Sequence, residues 1–341
     1  MNFINTGQDL KTVEYILKSM TKNGTPVQVV AHGKHGSYLT TRYKTFDKPE
    51  TSDLISEDFL YLDKNNKINT LSQVKSSYKK FNSSKSLENF IKDNYFVSTG
   101  ENCTHWIYRT GKGKYTDQRF KQVHRPVIDS KLAEADTPPS GKKPVCFLYG
   151  GGSASGKSTV INNLVTPVIK STGLRCANLD CDELKNSIPE YEMFKQQDIN
   201  TAASRVHRES SDLCNECIDA MIRRKKCFTF DGVMGNYKRY EDLVHKLKNN
   251  GYEVHIVAAD VPVEIALQRA SLRDRKIDDE IIKRAHRDFG KAFPQIMKLP
   301  VDSFSLYDNS QPSGQPNKCI VNSKGVQDNE LYQRFLKKGG A

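Results

Sequence analysis

The chain of 341 residues contains no run of about 18 apolar residues, the least a transmembrane helix needs, so no membrane span is expected. The N-terminus, MNFINTGQDLK, lacks a basic stretch leading into a long apolar one, and no secretory signal is read there. Cysteine is sparse, with eight residues in the whole chain, too few and too scattered for a disulfide scaffold. Several lie in apolar runs such as PVCFLYG and KKCFTFD, which suits buried free thiols in a reducing, cytoplasmic compartment. No internal repeat stands out. Hydrophobic residues make up only 37%, below the ~45–50% usual when glycine is counted with them. The 21 glycines close most of that gap, so a sizeable core is expected and wholesale disorder is excluded.

Acidic residues are also in deficit: 40 against 52 basic ones, a net charge of +12. Such an excess suits phosphate-bearing partners but follows equally from a basic proteome or from solubility. It is uneven along the chain, with 23 basic and 15 acidic residues up to Lys143 and 29 and 25 after it. Lys112, Lys114, Arg119, Lys121 and Arg125, interleaved with Tyr115 and Phe120, could touch nucleic acid, but a solvated basic segment is the plainer reading.

The clearest seam is AEADTPPSGKK, residues 133–143, where Pro138-Pro139 and Ser140-Gly141 interrupt any helix. Beyond it, short apolar runs at 145–149, 176–180, 227–231, 253–260 and 303–307 read as buried strands. Helical patterns fall between them, at 157–170, 201–224, 240–249, 263–273 and 278–289, with Pro167 predicting a kink or early end in the first. Strands alternating with helices give an α/β fold, a parallel sheet sandwiched by helices. The first half is harder to read: 9–20 looks helical, 27–31 and 37–43 look like strands, and a small α+β region is expected. The predicted organisation is an N-terminal α+β domain over 1–110, a basic helical lead-in and linker over 111–143, a catalytic domain over 144–310 and a tail over 311–341.

One motif carries chemistry. Gly151-Gly152-Ser153-Ala154-Ser155-Gly156-Lys157-Ser158 fits G-x-x-x-x-G-K-[ST] in every position, between an apolar strand and an amphipathic helix. Glycines let the backbone wrap with its N–H groups turned inward, and the helix N-terminus adds a positive dipole for phosphates. Lys157 can reach the β- and γ-phosphates and the Ser158 hydroxyl can ligate Mg²⁺; Thr159 completes the nucleotide-binding set. ATP and Mg²⁺ are thus the expected cofactors, against the alternative of a chance glycine-rich turn.

Carboxylates gather at other strand ends, where ligands of open α/β sheets collect. Asp180 and Asp182, in Asn178-Leu179-Asp180-Cys181-Asp182-Glu183, can take a proton from an attacking hydroxyl or hold a metal through water. A helix N-cap would account for one of the two. Asp231, in Phe228-Thr229-Phe230-Asp231-Gly232, is read as a metal-water or substrate ligand against simple Asp-Gly turn chemistry. Arg269, Arg273 and Arg275 cluster at a helix end; at least one is expected to neutralise transferring phosphate, the alternative being a solvated face. His207 and Glu209 either line a substrate pocket or are ordinary helix polarity. Cys214-Asn215-Glu216-Cys217 has zinc-like spacing, but no second Cys or His pair follows, so core packing is the better reading.

Taken in order, GGGSASGKST, NLDCDELK with IPEY, AASRVHRESSDL, FTFDG and VAADVPVEIALQRASLRDR resemble the zeta-toxin family of P-loop kinases over about residues 144–310. The resemblance implies transfer of the ATP γ-phosphate to a hydroxyl, commonly on UDP-N-acetylglucosamine, with some relatives resembling NAD kinases. It implies Asp182 as general base, Lys157 and Ser158 as phosphate and Mg²⁺ residues, and Arg273 and Arg275 as charge-stabilising arginines. An antitoxin, or another partner of the N-terminal domain, is implied as well. The sequence departs from the family where the His-Pro pair after Asp182 is missing and where Gly235-Asn236 replace a basic residue. The family's acidic substrate-helix position falls at Asn215 or Glu216. Residues 115–132 resemble the helical lead-in of phage-associated relatives. Two rival functions stay open: a polynucleotide or RNA end kinase using a basic groove, and a non-catalytic nucleotide-gated binding module.

Overall fold

A computed structural model describes residues 2–3, 27–33, 36–41, 55, 59–63, 68–69, 71–78, 83–99, 103–108, 114–197, 199–272, 277–311 and 315–340. The helix expected at 9–20 lies outside the described residues. The chain divides into two compact units, Met1–Arg125 with Lys185–Asp212, and Pro126–Leu184 with Leu213–Ala341.

The first unit contains two antiparallel three-stranded sheets. One has the order β1 (Asn2–Phe3), β3 (Gly36–Thr41), β2 (Val27–Gly33), and the other β5 (Ile68–Asn69), β4 (Phe59–Asp63), β6 (Tyr95–Thr99). The helix Ser84–Asn94 starts on a reciprocal cap between Ser83 and Ser86, which satisfies backbone donors at its free end. Its Leu87 and Ile91 are buried with Tyr61, Leu71, Val74 and Tyr95. The α+β expectation for this region thus holds among the described residues. Helices Pro189–Gln197 and Ile199–Arg223 follow later in the chain, and the unit boundary falls inside the second of them.

The second unit is built on a seven-stranded sheet ordered β13, β12, β11, β10, β7, β9, β8. Its five central members are β8 (Ala177–Asp180), β9 (Phe228–Asp231), β7 (Val145–Gly150), β10 (Glu253–Asp260) and β11 (Ser303–Asp308). All five run parallel, as the apolar runs predict. Five of the six residues of β7 are buried, as a strand covered on both faces requires. Because β7 lies between β9 and β10 while the chain passes from it to β8, the strand order reverses there and opens a crevice at its carboxyl end.

The helix after β7 is continuous through Lys157–Val160, a π-helical turn at Ile161–Val165 and Thr166–Ser171. The wider turn accommodates Pro167, which has no N–H to give and crowds the carbonyl four residues back; the helix continues past the proline to Ser171. Residues 311–341, expected as a tail, instead add β12 (Lys318–Asn322) and β13 (Gly325–Val326) antiparallel to the sheet edge, followed by helix Asn329–Lys338. Phe335 of that helix is fully buried against Phe289 and Phe293, with ring centroids 5.5 and 6.0 Å away. Two short strands with polar flanks gave too little apolar signal to be read from sequence. No described helix is long and apolar enough to cross a membrane.

Candidate active site

The loop after β7 has the backbone its glycines were expected to allow. Gly151 and Gly156 adopt φ of +140° and +76°, conformations that cost a side-chain-bearing residue most and glycine least. Ala154 has φ 59° without being glycine; such a residue persists only where its surroundings over-determine it, typically at a ligand clamp. Gly156 caps the helix beginning at Lys157, so the free N–H groups of that helix end face the loop. The rim is accessible: Ser158 and Thr159 are exposed, and Gly152 and Ser155 are buried.

Lys157 is held in place by its own loop and by the sheet. Its Nζ donates to Gly151 O at 3.3 Å and lies 3.6 Å from Asp231 Oδ1. Asp231 ends β9 opposite Asp180 at the end of β8, so the two carboxylates sit side by side on adjacent strands. Burial pushes Asp231 up, Lys157 pulls it back, and Asp180 and Asp182 add like-charge repulsion, leaving it at about 6. Burial also raises Asp180, opposed by the Asp182 N–H and reinforced by the charges of Asp182 and Glu183. Asp180 Oδ1 accepts the Asp182 N–H at 2.7 Å, which fixes the Asp180-Cys181-Asp182 turn and leaves Asp182 exposed. Behind them, Thr229 Oγ1 donates to Asn178 Oδ1 at 2.8 Å and Asn178 Nδ2 to Glu183 Oε2 at 3.0 Å.

Three carboxylates and one lysine thus converge in the second unit. The repulsion among the carboxylates is what a divalent cation would relieve. Among the described residues no group of three or more His, Cys, Asp or Glu forms a ready cage for a metal.

The raised Asp231 has a measurable consequence. A carboxyl held above its unfolded value costs stability, and the cost grows as pH rises from the ordinary carboxylate range to about 6. Asp231→Asn is therefore expected to unfold at a higher temperature than the parent at pH 7.5, by roughly 1–2 kcal/mol, with the gap closing below pH 6. Thermal melts across that range check it; a less stable variant at pH 7.5 would contradict the cause given.

The remaining candidates are placed as follows. Arg273 and Arg275 lie outside the described residues. Arg269 reaches inward, its Nη2 donating to Asn309 O at 2.9 Å. Glu216 is half-buried in the second unit, and Cys214 and Cys217 are fully buried beside it in the helix. His207 and Glu209 lie on the same helix in the first unit, His207 exposed and Glu209 with no exposure.

Glu209 joins a cluster that sequence patterning did not foresee. Arg119 donates to it through Nε at 2.7 Å and Nη2 at 3.0 Å, and to Glu190 through Nη1 at 2.9 Å and Nη2 at 2.7 Å. His124 Nε2 lies 3.1 Å from Glu209 Oε1, and Tyr108 donates to Glu190 at 2.8 Å. Burial alone would raise Glu209, but bonds from His124 and Arg119, with the guanidinium charge, bring it down to about 2. Arg119 therefore does not belong to a solvated basic segment, although Lys114, Lys121 and Arg125 are exposed. Glu209→Gln leaves the buried Arg119 short of a counter-charge and is expected to cost about 3 kcal/mol, read as a lowered urea midpoint. An unchanged midpoint would return Glu209 to the substrate-contact role.

The family model described as Zeta toxin matches residues 129–311, more than half of the chain. Among curated proteins, none matches it in sequence. One chain of the AvrRxo1-ORF1:AvrRxo1-ORF2 complex crystallised with sulphate ions superposes with a TM-score of 0.54 at 17% identity, over 66% of this chain and 74% of that one. The same pair crystallised with ATP gives 0.52 at 16% identity, over 66% and 74%. The PezAT chromosomal toxin–antitoxin system of Streptococcus pneumoniae gives 0.48 at 16%, over 67% and 95%.

Proposed function

The chain belongs to the zeta-toxin family, and on that premise we propose that it is an ATP-dependent kinase acting on a hydroxyl of a small molecule. The acceptor is a nucleotide sugar such as UDP-N-acetylglucosamine or a dinucleotide such as NAD. The observation that carries this reading is Lys157 at the mouth of the glycine loop, 3.6 Å from Asp231 and backed by the Asp180–Asp182 turn. A pure nucleotide binder has no use for an exposed carboxylate held beside the phosphate cradle.

In this reading the inward N–H groups of residues 151–156 and the Lys157 ammonium bind the phosphates and orient the terminal one. Ser158, with Asp180 or Asp231, would hold Mg²⁺, which would supply neutralisation of phosphate charge. Asp182 accepts the acceptor's hydroxyl proton as the acceptor oxygen bonds to the γ-phosphorus, and the bond from that phosphorus to the β–γ bridging oxygen breaks to leave ADP. Arg273 and Arg275 neutralise the equatorial oxygens in the transition state. A protein partner of the antitoxin kind belongs to the same reading, since the structurally similar chain is part of the AvrRxo1-ORF1:AvrRxo1-ORF2 complex.

The test is mass spectrometry of a panel of nucleotide sugars, dinucleotides and oligonucleotides after incubation with ATP and Mg²⁺. A gain of one phosphate on a nucleotide sugar or dinucleotide supports the proposal. A gain on oligonucleotides alone makes the protein a polynucleotide kinase, and ATP binding with no phosphorylated product across the panel makes it a binding module.

A further inference from the structure

The phosphate loop is gripped from behind by a residue that no motif singles out. A loop whose N–H groups turn inward to phosphates must turn its carbonyls outward, and buried carbonyls need donors. Asn309, the residue after β11, supplies them: its Nδ2 donates to Ser155 O at 2.9 Å and to Gly156 O at 3.1 Å. Carbonyl oxygens only accept, so the amide nitrogen must be the atom that faces them, and the orientation of the side chain follows. Its Oδ1 in turn accepts from Asn317 Nδ2 at 2.8 Å.

The Asn309 backbone is equally committed. Its N–H donates to Asp260 O at 2.9 Å, and its carbonyl accepts from Arg269 Nη2 at 2.9 Å. Asn309 is 7% exposed, and the neighbouring strand-end carboxylates Asp308 and Asp260 are 1% and 0% exposed. Both carboxylates are met by cations of the C-terminal helix, Asp308 by Arg334 and Asp260 by Lys338. That helix approaches closely because Gly290 and Gly339 face each other: a Cβ on Gly290 would lie 2.8 Å from the Gly339 nitrogen. On the other side of the loop, His286 Nε2 sits 2.8 Å from Ser153 O.

We infer that Asn309 is a positioning residue for the nucleotide, setting the carbonyls of Ser155 and Gly156 so that the loop's N–H groups stay turned toward phosphate, and that Asn317 holds Asn309 in that orientation. The inference rests on the proposed ATP site. It extends that site past residue 311, where the family match stops, into the segment that bears Asn317, Arg334 and Lys338.

The experiment uses the full chain and measures ATP affinity by calorimetry, then KM for ATP and for an acceptor, with Lys157→Ala as control. Asn309→Asp keeps the shape but sets carboxylate oxygens against two carbonyls; it is expected to weaken ATP binding about tenfold or more. KM for the acceptor and kcat at saturating ATP are expected to stay within about threefold of the parent. Asn317→Ala, which leaves the loop contacts in place but frees Asn309 to turn, is expected to weaken ATP about threefold with an unchanged melting temperature, and it carries the test if Asn309→Asp does not fold. Parental ATP affinity in both variants, or equal losses in acceptor KM and kcat, overturns the positioning role while the kinase reading stands. Failure of the parent to bind ATP at all overturns the kinase reading, and this inference with it.

Discussion

Lys157→Ala is expected to reduce phosphoryl transfer by a factor on the order of a thousand or more and to weaken ATP binding, with little loss of fold. Two physical arguments set the size. The ammonium is the one fixed cation on the described loop itself, and transfer of a phosphoryl group is catalysed almost wholly by positioning and charge. The structural cost is small because Lys157 is half-buried, and its partner Asp231, already raised to about 6 by burial and by its acidic neighbours, can take up a proton once the lysine is gone. Radiolabelled ATP turnover with a parallel thermal melt separates the two effects. A variant that keeps transfer within tenfold of the parent would remove the glycine loop from the reaction.

The second large effect is expected from Asp182→Asn: transfer falls by about 10²–10⁴ while ATP binds as before. The substitution keeps the shape of the side chain but removes its negative charge and its ability to take up a proton. The bond from the Asp182 backbone N–H to Asp180 Oδ1, which holds the turn, is kept in the variant. The exposure of Asp182 leaves it open to an incoming hydroxyl, whereas Asp180 and Asp231 are more enclosed. Calorimetry with ATP, with and without Mg²⁺, then decides its role. Unchanged affinity in both conditions fits a base. Affinity that drops only when Mg²⁺ is present would make Asp182 a metal-side residue and leave the base to be found elsewhere.

The central sheet was legible because burial on both faces leaves a local mark. VCFLYG and FTFD are continuous apolar runs, and each of those strands forms within a residue or two of where it was expected. The glycine loop was legible for a similar reason, since backbone geometry there restricts residue type position by position. The β12–β13 edge was not, because KCIVN is too short and too polar-flanked to stand out from a tail. The Arg119 cluster was invisible for a different cause: its partners lie 71 and 90 residues away, and a buried ion pair carries no periodicity. In sequence, Arg119 is one more cation in a basic stretch. Asn309 escaped notice likewise, as its contacts with the loop span 154 and 153 residues.

That long separation sets a schedule for synthesis. The compact unit containing Arg119 also takes in Lys185–Asp212, so it is complete only once that later segment has been made. At roughly 5–20 residues per second, the 90 residues between Arg119 and Glu209 take on the order of five to twenty seconds to appear. Through that interval a guanidinium destined for burial has no carboxylates to meet, while the stretch carrying Lys157 and the Asp180–Asp182 turn is already made. The order of synthesis therefore places Lys157 and the Asp180–Asp182 turn ahead of the carboxylates that complete the Arg119 cluster, Glu190 and Glu209.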